Sequence, residues 1–193
     1  MSDEDTATAV VLDFLAHGRS DDDRPRYQRE PICYVLGTED FQLYELVFES
    51  PPDVSIGDSV TIEPLTELPN ILERNHVAYD ALSSGARSEL EYLIEDIIDE
   101  QEDRFIDFFN RAQPISLRLH QLNLLPGIGD KLRDNILDAR RRQPFQSFDD
   151  LEQRVSGLHN PRGILIERIK EELRDDSLKY YLFVGADALL VRG

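Results

Sequence analysis

Residues 122–129, Leu-Asn-Leu-Leu-Pro-Gly-Ile-Gly, constrain the fold of this chain more than any other stretch. An apolar helix end runs into Pro126, and Gly127 and Gly129 follow within three positions, so the backbone must turn there. A second helix is expected at once, over residues 130–143, with Asp130 able to cap it. The two glycines leave the main chain bare, and a positive φ costs them little. The N–H groups of a first helical turn have no partner inside the helix and carry partial positive charge. A Gly-rich loop that opens a helix is therefore a seat for an anion. On a plainer reading it is only a tight turn between two core helices.

The pattern then repeats. Ser147 is a cap candidate, and Phe148, Leu151 and Val155 fall on one helical face. Gly157-Leu158-His159-Asn160-Pro161 follows, with Gly157 thirty positions after Gly127. Leu165, Ile166, Ile169 and Leu173 then mark another amphipathic helix. Two such units in tandem resemble the helix-hairpin-helix motif, which grips nucleic-acid backbone through main-chain N–H groups. The second hairpin departs from the Gly-Ile-Gly pattern, and Arg133 stands where many such motifs have Ala.

Charge is distributed to match. The chain of 193 residues carries a formal net charge of −18. Residues 1–112 hold 27 acidic and 8 basic side chains, whereas residues 113–174 hold 9 acidic and 11 basic ones. A hairpin region that escapes the general acidity suggests a nucleic-acid face. The alternative is a helical core with fewer solvent carboxylates. Of the basic residues, 18 are Arg and only three are Lys. Scarce Lys with abundant Asp resembles proteins from cells with molar internal salt, where such self-repulsion is screened. Arg140, Arg141 and Arg142 end the helix that Gly129 opens. They either complement its C-terminal dipole or contact phosphate, for which the Arg fork is suited. Arg118 and Arg162 are further candidates for phosphate contact.

The N-terminal part reads differently. Strands are expected over residues 8–15, 31–36, 41–48 and 59–62, separated by turns at 37–40, 50–52 and 56–58. Short strands so close together suggest a compact barrel over residues 6–68. Tyr34, Phe41, Tyr44 and Phe48 could stack bases, although core roles are commoner for such residues. A linker at 64–70 leads to connecting helices over residues 75–112. Leu90, Leu93, Ile94, Ile97, Ile98, Phe105, Phe108 and Phe109 recur at helical spacing there. Pro114 should start a new helix towards the hairpin. Residues 179–184 read as a strand returning to the barrel, and 185–193 as a tail.

Other function classes lack their signatures. Cys33 is the only cysteine, so disulfides within the chain and four-thiolate zinc sites are excluded. His17, His76, His120 and His159 are scattered, and there is no P-loop or nucleophile elbow. No catalytic residue and no metal ligand set is assigned. No apolar run suits a membrane span, and a cytoplasmic location is the default expectation.

The ordered phrases Val-Val-Leu-Asp-Phe-Leu (10–15), Ile-Gly-Asp-Ser-Val-Thr-Ile (56–62), residues 108–129 and Lys-Tyr-Tyr-Leu-Phe-Val (179–184) resemble an archaeal family, domain of unknown function 655. The resemblance covers nearly the whole chain, and the composition points to a haloarchaeal member. It implies an α+β fold in which an OB-like β-barrel, closed by strand 179–184, joins a tandem helix-hairpin-helix module over residues 113–174. It implies non-catalytic nucleic-acid binding, with RNA favoured over DNA by a link to translation, and the ribosome or its proteins as partners. Gly127, Ile128 and Gly129 would offer main-chain N–H groups, and Lys131 would contact phosphate. In similar motifs hairpin carbonyls bind a monovalent cation, and no other cofactor is implied. DNA binding by the same mechanism, or a protein adaptor whose acidic helical face docks a basic partner, are the alternatives.

Overall fold

The structure, a computed structural model, describes residues 6–65 and 68–185. These described residues divide into two compact units: those up to 93 with 183–185, and residues 94–182.

The first unit is a five-stranded antiparallel sheet curled into a half-barrel. Strands β1 (Ala7–Leu15), β2 (Ile32–Gly37), β3 (Leu43–Phe48), β4 (Ser59–Glu63) and β5 (Ile71–His76) lie in the order β4-β1-β2-β3-β5. Side chains alternate across a strand, so one face of β3 presents Tyr44, Leu46 and Phe48. These pack with Ala9, Val11, Cys33, Val35 and Ile62 into one buried cluster. Cys33 is interior, as its apolar run predicts, and burial pushes its thiol up to about 12. The register of β1 shifts between Val11 and Asp13. At that irregularity the Asp13 carboxylate accepts a 2.6 Å hydrogen bond from Ser83 Oγ, which itself accepts the Ala86 N–H. Ser83 thus caps α1 (Ser84–Glu100) while bound to β1.

The sequence reading is corrected in several places. Residues 71–76 form a fifth strand, which follows the linker expected at 64–70 and runs into the helix expected from 75. The strand is mostly polar, which suits an edge and hides the alternation that marks a buried one. The sheet edges β4 and β5 are linked by a side chain: Arg74 Nη1 donates to the Ile62 carbonyl at 2.8 Å and meets the Glu63 carboxylate at 2.9 Å. Residues 179–184 form no strand. Phe183 is buried, and the Gly185 N–H donates to the Asp40 carbonyl at 2.8 Å, so the segment returns to the first unit without pairing as a strand. Of the expected tail, residues 186–193 lie outside the described part.

The second unit is helical: α2 (Glu102–Arg111), α3 (Asp130–Arg142), α4 (Phe148–Arg154) and α5 (Pro161–Arg174) follow the end of α1. The connecting helices expected over 75–112 are α1 and α2, which begin only at Ser84 and are parted at Gln101, whose φ and ψ are −114° and 35°. Residues 114–120 form a tight loop instead of a helix, closed by a bridge between Pro114 and His120. The Ser116 hydroxyl accepts the N–H groups of Arg118 and Leu119, a local bond that competes with helix formation. A four-residue 3-10 helix (Gln121–Leu124) then enters the turn, where a longer apolar helix was expected. The core gathers Phe105, Phe109, Leu122, Ile136, Phe148, Leu151, Leu165 and Ile169.

Arg168 is buried within this unit beside Glu172. Its Nε donates to Glu172 Oε2 at 2.8 Å, its Nη1 to the Leu124 carbonyl at 3.2 Å, and its Nη2 to the Tyr180 carbonyl at 2.7 Å. Arg168→Met should lower stability by about 3–5 kcal/mol, because it takes the buried guanidinium from a buried carboxylate and two carbonyls. Adding Glu172→Leu should recover part of that loss. Chemical denaturation of both variants checks this, and a single variant as stable as wild type would remove Arg168 from its role.

Candidate nucleic-acid interface

Leu125, Pro126, Gly127 and Ile128 form a β-turn in which the Ile128 N–H donates to the Leu125 carbonyl at 3.2 Å. Gly127 has φ +81°, the value that a Pro-Gly turn of type II requires at its third residue. Leu125 and Ile128 are buried and anchor both sides of the turn, while Pro126 and Gly127 are exposed. The chain then passes through Gly129 into α3.

Gly129 is the N-cap of α3, with φ −85° and ψ −174°, and no side chain caps the helix. The expected cap, Asp130, is the first helical residue and its carboxylate turns to Arg133 Nη1 at 3.0 Å. The main-chain N–H groups of Gly129, Asp130 and Lys131 therefore have no acceptor among the described residues. A Cβ built at Gly127 or at Gly129 would meet nothing within 4 Å. The approach to these donors is open. Arg133 also donates to Asn123 Oδ1 at 3.1 Å, and Asn123 Nδ2 donates to the Ile128 carbonyl at 3.3 Å. Arg133 and Asn123 thus tie both ends of the turn, a positioning role that the sequence reading missed.

His120 supports the entry. It is buried, and its Nδ1 accepts the Leu122 N–H at 3.1 Å while Asn123 Oδ1 accepts the His120 N–H at 3.1 Å. This reciprocal cap requires neutral imidazole. Burial chiefly, and then Arg140 and Arg133, hold His120 below the ordinary histidine value.

The second turn has the same frame thirty residues on. Gly157 has φ +90°, and the Leu158 N–H donates to the Val155 carbonyl at 3.3 Å. Its helix start is nonetheless occupied. Asn160 Oδ1 accepts the Gly163 N–H at 3.2 Å, Glu152 accepts the Asn160 N–H at 3.3 Å, and Pro161 has no N–H to offer. Among the described residues, that leaves the Arg162 N–H at the second turn, whereas the run of three adjacent open donors belongs to the first.

The candidate side chains divide. Lys131, Arg118 and Arg142 are exposed and have no side-chain partner among the described residues. Arg141 is exposed and pairs with Asp138 at 3.1 Å. Arg140 Nη1 donates to the Phe109 carbonyl at 3.1 Å, which binds α3 to the end of α2. Arg162 pairs with Asp99 at 2.7 Å and stacks on Phe148, 4.7 Å from the ring centroid. The carbonyls at the end of α3 are met by Arg154, whose Nη2 donates to Ala139 at 2.8 Å and Gln143 at 2.7 Å. Around the turn, the carbonyls of Leu122, Leu125 and Ile128 each accept one N–H already, and the Arg168 guanidinium lies on that of Leu124. A cation at those four carbonyls would have only their second lone pairs to use. Among the described residues no cluster of three or more His, Cys, Asp or Glu side chains is arranged to hold a metal, and no helix is long and apolar enough to cross a membrane.

Residues 5–185 match the family model described as a protein of unknown function, DUF655. An uncharacterized protein of Methanocaldococcus jannaschii is 40% identical over 177 residues, which span 91% of this chain and 78% of that protein. The crystal structure of Af1531 from Archaeoglobus fulgidus has a TM-score of 0.84 and 37% identity, covering 93% of this chain and 99% of that one.

A pH series should expose the His120 cap. The folded value lies below the ordinary value of about 6.5, so protonation favours the unfolded chain. Stability should be fully present above about pH 6.5 and fall below it, by at most about 1.4 kcal/mol per pH unit, until the folded value is reached. His120→Asn, which keeps an acceptor at this position, should flatten the slope in urea melts between about pH 5 and 7. An unchanged slope would assign the effect elsewhere.

Proposed function

The chain belongs to the DUF655 family of proteins of unknown function, and we propose that it is a non-catalytic nucleic-acid-binding protein that grips phosphate at the start of α3. One observation carries this reading: three adjacent main-chain N–H groups, at Gly129, Asp130 and Lys131, stand uncapped under a turn with no side chain over it. A phosphate oxygen accepts such donors, and the helix dipole adds to the attraction. Lys131 extends from the same first turn, exposed and unpaired, to meet a second oxygen. Arg118 and Arg142 supply further positive charge. Arg140 and Arg162 shape the helices that present the site.

Contacts of this kind position a backbone and read no bases, so little sequence preference is expected. RNA is favoured over DNA by the resemblance to a translation-linked family, with the ribosome as the place of action and the cytoplasm as the compartment. The acidic surface fits a cell with high internal salt. An OB-like role for the half-barrel, with the paired turns as a tandem helix-hairpin-helix module, completes the proposal.

Gly129 offers a cleaner test than Gly127. Valine at Gly127 would be forced into positive φ, whereas Gly129 is extended and its Cβ direction is open. Gly129→Val should leave stability within about 1 kcal/mol and weaken phosphate binding by about tenfold or more, since it covers charge-assisted donors. Lys131→Ala should reduce the slope of log affinity against log salt by about 1. Labelled ribosomal RNA, transfer RNA and duplex DNA, titrated across a potassium chloride series, check both, and the tightest ligand decides RNA against DNA. Undiminished binding by the double variant would place the interface elsewhere; no binding by folded wild type would favour a protein adaptor.

A further inference from the structure

Glu45 lies in the middle of β3, within the first unit, on the face opposite Tyr44, Leu46 and Phe48. It is 4% exposed. Its neighbours across the ladder are Tyr34 and Asn75. One carboxylate oxygen, Oε1, accepts from Arg19 Nη2 at 3.3 Å. The other, Oε2, is buried and has no hydrogen-bond partner among the described residues. A buried charged acceptor left this way is costly, and proteins rarely keep one without a use.

Glu45 lines a cavity of about 290 Å³. At the lower end of the range for small-molecule sites, this space suits a compact ligand. Its walls are of two kinds. Ile32, Val47 and Leu72 are apolar, and Leu72 is 52% exposed. The polar wall holds four carboxylates, Asp22, Glu30, Glu45 and Glu73, against two guanidinium groups, Arg19 and Arg24. Arg24 is consumed by its pairs with Asp22 at 2.7 Å and Glu30 at 2.6 Å. Among the described residues, Arg19 is the cation paired with Glu45, and Glu73 accepts from Asn75 Nδ2 at 3.1 Å. The balance is negative and repels anions, including phosphate. What Glu45 Oε2 lacks is an N–H donor.

We propose that this cavity binds an alkyl cation: an ammonium or guanidinium head that donates to Glu45 Oε2, on a short hydrocarbon stem covered by Ile32, Val47 and Leu72. Lys and Arg side chains and small aliphatic amines share this construction, an apolar stem under a hydrated charge. The site is separate from the α3 seat and does not rest on the nucleic-acid reading.

The full chain, with methyl groups of Ile, Val and Leu labelled, is titrated with n-butylamine and n-butylguanidine. n-Butanol, butyrate and potassium chloride at matched ionic strength are the controls. Shifts at Ile32, Val47 and Leu72 should follow the two cations and none of the controls. Glu45→Gln, with folding checked by thermal melting, should weaken binding by about tenfold or more, the loss of one charge-assisted bond. Arg19→Met should strengthen it, because it frees Oε1 and makes the cavity more negative. That opposite sign keeps the test sound even if Glu45→Gln fails to fold. Gly129→Val should bind as wild type does. A short Lys/Arg peptide with blocked ends identifies the source: tighter binding than butylamine means a protein side chain, weaker binding a free amine. Equal shifts with butanol or potassium, unchanged binding in Arg19→Met, or no shift with any cation would overturn the proposal.

Discussion

Arg168 is almost wholly out of water, and its N–H donors must find acceptors inside the protein for that burial to be tolerable. Glu172 supplies the counter-charge from one turn further along α5. The remaining donors reach the Leu124 carbonyl, at the mouth of the first turn, and the Tyr180 carbonyl, in the closing segment. One side chain therefore fixes three parts of the chain that share no ladder. Lysine could not replace it, since a single ammonium cannot span three directions as a planar fork does. The position of Leu124 in turn fixes Leu125 and Ile128, and with them the direction in which the amides of Gly129, Asp130 and Lys131 point.

The two turns show how a shared backbone frame can serve different ends. Both have a glycine at positive φ flanked by buried aliphatic residues. They diverge at the next helix start. Asn160 and Pro161 satisfy or remove donors of α5. Gly129 satisfies none, and Asp130, which could have turned back to cap α3, is drawn aside by Arg133. An end capped by glycine alone is less stable than one capped by Asn or Ser, by about a few tenths of a kcal/mol. The second turn avoids that cost, and the first does not.

Much of this was legible in the sequence. The PGIG turn, α3, α4, α5 and four of the five strands follow from glycine, proline and hydrophobic period, which act over a few residues. The errors have two causes. β5 and the segment at 179–184 are decided by long-range partners, Arg74 at the sheet edge and Asp40 against Gly185, whereas the loop at 114–120 is decided locally, by the Ser116 hydroxyl and the bridge from Pro114 to His120. Arg140 and Arg162 carry the same lesson for the site. As letters they are cations near a glycine turn, and only the fold shows their guanidinium groups spent on Phe109 and Asp99. Glu45 gave no signal at all, because alternation along β3 places it inside without saying what it meets.

That spending changes how the charge of the hairpin region should be weighed. Residues 113–174 hold 11 basic side chains. Among the described residues, Arg133, Arg140, Arg154 and Arg168 work as internal clamps on carbonyls and carboxylates, and Arg141, Arg162 and Lys170 are paired. On the proposed reading few cations would remain to release counterions from a nucleic acid, so the electrostatic part of affinity would be small and its dependence on salt shallow. Main-chain N–H groups held by a rigid turn would weaken less, because they act by hydrogen bonding at contact distance, although the dipole's share is itself screened by salt. A binder of this construction would hold phosphate in concentrated salt, where a surface of lysines would not. The acidity of the rest of the chain, which at low salt would oppose a polyanion, is screened under the same conditions.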